Sequence, residues 1–311
     1  MMRLICAIGL SGALAVSACS SSSGKATGDG GVGGSGAGGS IADAGTDASL
    51  VTVSGTAAPH PLTAGLDPTT AATGFNMINV AVVDPSVVLS NPTAPPLAGG
   101  ALDTSTTNCS ATTGCAWSFN NVDISKISLG LVGILDDART ANRLWVKTGT
   151  GAGAEDFVMM HQASREPITG RPLFAVSTGS EAKLAAFAAA VLADTTIVAG
   201  SLTQRGFMIA SILGKQSAGA AAVAGAMLTP TDASKVNVLY PSADFMSNLT
   251  STSTTGTVLV VPKAAGANAI PVVTSWTVTA PTGDTRVWPV LTAGSTPGTA
   301  FVILFAANET P

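Results

Sequence analysis

From Leu50 onward, short β-branched apolar runs alternate with Gly-, Pro- and Asp-marked breaks at intervals of about ten residues, the pattern of strands joined by turns. LVTVSGT (50–56), INVAVVDP (78–85), CAWSFNNVD (115–123) and RLWVKTG (143–149) read as strands. ISLGLVGILDD (127–137) is nearly continuous in apolar character and reads as a strand buried on both faces. PTAPPLAGGALD (92–103) reads as an extended, proline-punctuated connection. Towards the C-terminus, VNVLYPSADF, TSTTGTVLVVP, VVTSWTVTA and AFVILFAA supply further strands, with turns at Pro281-Thr282-Gly283 and Thr296-Pro297-Gly298. The Ala-rich run 218–228 is interrupted by Gly219 and Gly225 and closed by Pro230, which favours turn and strand over helix.

One segment changes period. In SEAKLAAFAAAVLAD, residues Leu184, Phe187, Ala188, Val191 and Leu192 form one stripe at helical spacing, which predicts a helix over 181–193. Thr178 with Glu181 spells a capping box, with Ser180 as a rival N-cap.

The first nineteen residues, MMRLICAIGLSGALAVSAC, follow a different logic: one positive charge at Arg3, an apolar run from Leu4 to Val16, then small residues before a cysteine. The run is too short to cross a hydrocarbon core of ~30 Å. Val16-Ser17-Ala18-Cys19 resembles the lipobox of bacterial lipoproteins. That resemblance implies cleavage before Cys19, lipidation of its thiol and attachment to a membrane, since two or more acyl chains anchor stably. Ser20 after the cysteine implies sorting to the outer membrane. Residues 1–18 are then a lipoprotein signal peptide, and 19–49, rich in Gly, Ser, Ala and Asp, a flexible linker. Of the four cysteines, Cys109 and Cys115 remain, with five residues between them in NCSATTGC; an exported chain predicts a disulfide there.

Two stretches resemble the carboxypeptidase-regulatory, or transthyretin-like, β-sandwich. The first has Pro96-Leu97-Ala98-Gly99-Gly100-Ala101 as a pivot and Trp117-Ser118-Phe119-Asn120-Asn121-Val122 leading into an apolar strand. The second starts at Gly206, with Ala222-Val223-Ala224-Gly225-Ala226 as pivot and Thr255-Gly256-Thr257 as hairpin. The resemblance implies a mainly β chain of two tandem β-sandwich modules, 50–150 and 206–311. A connector at 151–205 would carry the single joining helix. Modules of that family are mostly non-catalytic, and none of their site residues transfers here.

Composition narrows the function classes. Charged residues make up 10% of the chain and the formal net charge is -4, which excludes a polybasic surface and with it nucleic acid as a partner. Ser180-Glu181-Ala182-Lys183 and Lys147-Thr148-Gly149 spell two marks of penicillin-binding proteins, but in reversed order and without S-D-N, so they read as a capped helix and a strand end. His60 and His161 are the two histidines and no G-x-S-x-G elbow accompanies them; His161 reads as a lone histidine at a strand end. Asp123, Asp136, Asp137, Glu155 and Asp156 carry the oxygen chemistry of a Ca²⁺ loop but lack D-x-D-x-D-G spacing, and read as solvated turn residues. Trp117, Trp145, Trp276 and Trp288, with Tyr240, form either a sugar-stacking platform or core packing; core is favoured. The expectation is a membrane-anchored extracytoplasmic lipoprotein, not an enzyme, with no cofactor or metal and a binding or envelope-structural role. A protein or glycan is its expected partner. The alternatives are a carbohydrate- or calcium-binding accessory module and a hydrolase of unrecognised type.

Overall fold

A computed structural model describes residues 50–307 apart from 91–93, 106–107, 111–113, 128–129, 154, 216–219 and 265–270. The first half runs β1 (Leu50–Pro59), α1 (Pro61–Leu66), α2 (Pro68–Thr73), β2 (Ile78–Val83), α3 (Pro85–Ser90), β3 (Ala98–Ala101), β4 (Cys109–Ser110), β5 (Gly114–Asp123), β6 (Leu131–Asp137), β7 (Trp145–Val146) and β8 (Thr148–Gly153). It continues through α4 (Glu155–Ser164), β9 (Ile168–Ser177), α5 (Thr178–Leu192) and α6 (Ser201–Arg205). The described elements after α6 are strands: β10 (Phe207–Leu213), β11 (Met227–Pro230), β12 (Val236–Pro241), β13 (Asn248–Leu249), β14 (Thr257–Pro262), β15 (Val272–Thr279), β16 (Leu291–Ser295) and β17 (Ala300–Ala306). The chain is mainly β, as its alternating pattern predicts.

A nine-stranded sheet, β13-β12-β14-β10-β17-β8-β6-β2-β3, is the centre of the molecule. Period-2 alternation gives it two apolar faces. On one face, Met208, Ala210, Ile212, Val258, Val260, Phe301, Ile303 and Phe305 pack against the three-stranded sheet β11-β15-β16 through Leu228, Val272, Trp276 and Leu291, and Val83, Val132 and Ile134 continue the same cluster beyond it. On the other face the cover is divided. Ile78, Val80, Val82, Leu131 and Leu135 meet the five-stranded sheet β4-β5-β1-β9-β7. Phe207, Ile209, Leu259, Val261 and Val302 meet α1, α5 and α6. β6 is thus buried on both sides, as its apolar run predicts.

The expected division into modules is corrected by the pairing. β17 runs parallel to β8, with Ala300 opposite Thr148 and Phe301 opposite Gly149, so 50–150 and 206–311 share one sheet. The physical cause is that β8 and β17 bury both faces and need ladder partners on both edges. Nor is 151–205 merely a connector, because β9 lies parallel to β1 inside the five-stranded sheet. RLWVKTG is two strands: β7 pairs with β9, while β8 pairs with β6 and β17, so the chain changes sheets at Lys147.

The helix expected over 181–193 is α5, Thr178–Leu192, with Leu184, Phe187 and Ala188 buried. Its N-cap is Ser177, whose hydroxyl accepts from Ser180 N at 3.0 Å, so neither Thr178 nor Ser180 takes that place. Further helices accompany it. α1 and α2 begin with Pro61 and Pro68 behind the caps His60 and Asp67, each cap accepting a backbone N–H.

Candidate functional site

The polar residues that the sequence offers as chemistry are mostly spent inside the fold. Asp84, Asp103, Asp123, Asp194 and Asp232 each accept the backbone N–H two residues on, from Ser86, Ser105, Ser125, Thr196 and Ser234. These are Asx turns, the local bonding that short acidic side chains favour. Asp137 accepts from Leu144 N at 2.7 Å, Trp145 N at 3.1 Å, and both Arg139 N and Nη1 at 3.0 Å. Burial pushes its carboxyl up, but those donors together outweigh it and hold the group below the ordinary carboxylate value. Asp136 pairs with Arg143. The side chains of Glu155 and Asp156 lie outside the described residues. Among the described residues no three of His, Cys, Asp and Glu gather into a metal site.

The two penicillin-type motifs come near one another, yet face apart. Thr148 Oγ1 accepts Val176 N at 3.3 Å, just before the Ser177 cap of α5. Lys147, one residue away, points to the other side of the central sheet. Ser180 is fully buried, its Oγ 2.9 Å from Ser177 Oγ, and Ser177 in turn donates to Asp67 Oδ2 at 2.8 Å. Lys183 Nζ donates to Leu66 O. This network ties α5 to α1 and α2 and presents no nucleophile to solvent.

His60 is buried as the cap of α1 and accepts Leu62 N through Nδ1 at 3.2 Å. His161, expected at a strand end, sits instead in α4 and is also buried. All four tryptophans are buried, so none offers a face to a sugar. Three indoles donate to backbone carbonyls: Trp145 to Gly74, Trp276 to Ala293 and Trp288 to Leu213. Tyr240 is likewise engaged: its hydroxyl donates to Leu228 O at 3.0 Å and accepts Leu228 N at 2.8 Å. Cys109 and Cys115 form the expected disulfide, bridging the short pair β4 and β5.

What remains open is a part of the central sheet. The three-stranded sheet covers β10, β14 and β17 but stops short of β2 and β6. There a groove of about 210 Å³ opens, its apolar lining supplied by Ala81, Val83, Pro96, Ile134 and Phe301. Asn79, Asp136 and Lys147 add its polar groups. The position of Lys147 follows from the sheet change at β7 and β8. Val146 is buried on the α5 side and Thr148 bonds β9, so the residue between them faces the groove. Lys147 is half-buried, and its ammonium makes no ion pair or hydrogen bond to a described residue.

No protein-family model matches the chain, and no curated protein matches it. Among solved structures the chain is similar to a minor pilin of the Gram-positive pathogen Streptococcus agalactiae, at 8% identity and a TM-score of 0.23, over 84% of this chain and 97% of that one. The transthyretin-like resemblance is thus carried by its short motifs alone. Cys19 and the linker 19–49 lie outside the described residues.

The groove residues come from β2, β6, the β7–β8 corner and β17, which no linear motif unites. One signal was present. In INVAVV the residues Asn79 and Ala81 alternate with Ile78, Val80 and Val82, which marks one face of β2 as less apolar than the other.

Proposed function

We propose that this protein is an exported lipoprotein, anchored through Cys19, that acts by binding rather than by catalysis, and that the groove on the open part of its central sheet is the binding surface. The observation that carries the reading is the placement of polar groups. An ammonium, an amide and two threonines line the groove beside apolar side chains, where they can orient a ligand. The serine, histidine and aspartate groups with catalytic potential are instead engaged in caps and turns.

Anchoring rests on the lipobox resemblance at Val16–Cys19, and the outer membrane is the membrane it implies. Replacing Cys19 by Ser releases the protein into the soluble fraction if that reading is right; retention of the variant in membranes overturns it. Binding is tested by thermal melts of the mature chain against glycans, peptides and small organic acids, since a ligand of the folded state alone raises the melting temperature. A flat response in wild type, together with an unchanged melt when the groove is filled by Ala81→Trp, rejects the groove as the binding surface.

A further inference from the structure

The charges at the groove narrow the class of ligand it would take, on the reading that it is a binding surface. The geometry points to a small organic carboxylate with an apolar tail as the ligand, its carboxylate on Lys147 and its tail along Ala81, Ala94 and Pro96, the apolar lining residues that reach solvent. Three observations converge on this class.

The first is the electrostatic imbalance of the lining. Two charged side chains line the groove, and Asp136 is paired with Arg143 rather than with Lys147. Lys147 makes no ion pair to a described residue, so its ammonium is the one charge of the lining left to a ligand. Half-burial raises the value of an anion there, because a charge contact partly withdrawn from water is less screened.

The second is size. About 210 Å³ holds roughly seven waters at ~30 Å³ each, the volume of a small acid and much less than a folded domain or a long glycan.

The third is the pattern of neutral groups. Among the lining residues Asn79 and Thr296 carry side-chain donors that reach solvent, whereas the side chains of Ala81, Ala94 and Pro96 offer none. A ligand with one anionic end and one apolar end satisfies both parts, and a polyhydroxylated sugar would leave hydroxyls unpaired over the apolar side chains.

The test uses the full mature chain titrated with benzoate and hexanoate and, as neutral isosteres, benzamide and hexanamide, followed by calorimetry or ligand-observed NMR. The acids saturate and the amides bind about tenfold more weakly, since a hydrogen bond to a charged group is the stronger by roughly that factor. Lys147→Met removes the difference between acid and amide, and Lys147→Arg restores it. Melting temperatures of both variants without ligand stay near that of the parent, because the Lys147 side chain is half-buried and its one bond to a described residue, from Ala300 N, is made by the backbone carbonyl. Amides that bind as tightly as acids, with Lys147→Met unchanged, overturn the carboxylate inference and leave a ligand groove standing. Absence of saturation by all four compounds overturns the groove as a small-ligand site, and with it the reading on which this one rests.

Discussion

Gly149 lies so close to Phe301 that a Cβ at position 149 would stand 2.5 Å from a carbon of the Phe301 ring. The two residues are register partners across the parallel pair β8 and β17, the seam that joins the N- and C-terminal halves of the central sheet. Phe301 also lines the groove, so seam and groove depend on the same contact. Gly149→Ala is expected to destabilise the protein by about 1–3 kcal/mol through overpacking. The check is a urea unfolding curve of the single variant and of Gly149→Ala with Phe301→Leu, whose smaller side chain gives the new methyl room. Recovery of part of the loss identifies the contact as the cause, and strictly additive losses reject it.

A second relationship crosses from helix to loop. The Glu181 carboxylate, almost fully buried, accepts Gly200 N at 2.6 Å, Leu202 N at 3.0 Å and Thr203 N at 3.3 Å. It thereby satisfies donors at the start of α6 that have no partner within that helix. Burial raises its carboxyl above the ordinary value, with the backbone donors of Gly200, Thr203 and Leu202 pulling against it. In Glu181→Gln an amide NH₂ must face one of those N–H groups, and a loss of about 1–3 kcal/mol is expected. The sign with pH follows from the raised value. Ionisation of Glu181 weakens the native state as pH rises, and glutamine does not ionise, so the gap between the two proteins narrows from pH 4.5 upward. Denaturant midpoints at three pH values check this; a gap that widens with pH contradicts the assignment.

The same carboxylate shows where sequence reading stops. T-x-x-E spelled a capping box for α5, but Ser177 takes the cap one residue earlier, and Glu181 is free to reach the loop at 200–203. β2 was legible because Ile78, Val80 and Val82 recur at the period that burial on a sheet imposes, and β6 because its apolar run is nearly continuous. Helices α1 and α2, at six residues each, are too short to show a 3.6-residue period; their signals are Pro61 and Pro68 behind a capping side chain. The pairing of β8 with β17 joins residues 148 and 300, and nothing local in either strand names its partner. The groove inherits that difficulty, since Lys147 gains its neighbours only when the chain changes sheets there. The disulfide was legible because the first nineteen residues predict export, and close spacing then leaves Cys109 and Cys115 to one another.

That disulfide joins cysteines six positions apart in the sequence, and Asn108 supports it by donating from Nδ2 to Asp103 O at 2.7 Å and Ala116 O at 2.9 Å. Replacing both cysteines by serine is expected to cost about 2 kcal/mol, the chain-entropy scale for so small a loop. The β4–β5 pair is peripheral, so the variant still folds, with a lowered denaturant midpoint and an unchanged slope. A loss much above that scale would mean that the bridge also secures the buried Trp117 face of β5.

His60 gives the fold a pH dependence in a window of its own. Its Nδ1 must stay unprotonated to accept Leu62 N, and the ring is buried edge-on to Phe174 at 5.4 Å. Burial lowers its pKa from 6.5 to about 4. The unfolded chain therefore takes up a proton between pH 6.5 and 4 that the folded chain refuses, and the associated stability, complete above pH 6.5, is lost as pH falls through that range. The total is about 3 kcal/mol, since each pH unit separating the folded from the unfolded pKa is worth about 1.4 kcal/mol. The carboxyls held below their ordinary value, among them Asp67 and Asp137, lose their contribution at lower pH, below 3.8. His60→Asn keeps an N-cap acceptor and removes the titration. Urea midpoints at pH 7, 6 and 5 are expected to fall steeply in the parent and much less in the variant. Parallel slopes in the two proteins would show that another group carries the acid sensitivity.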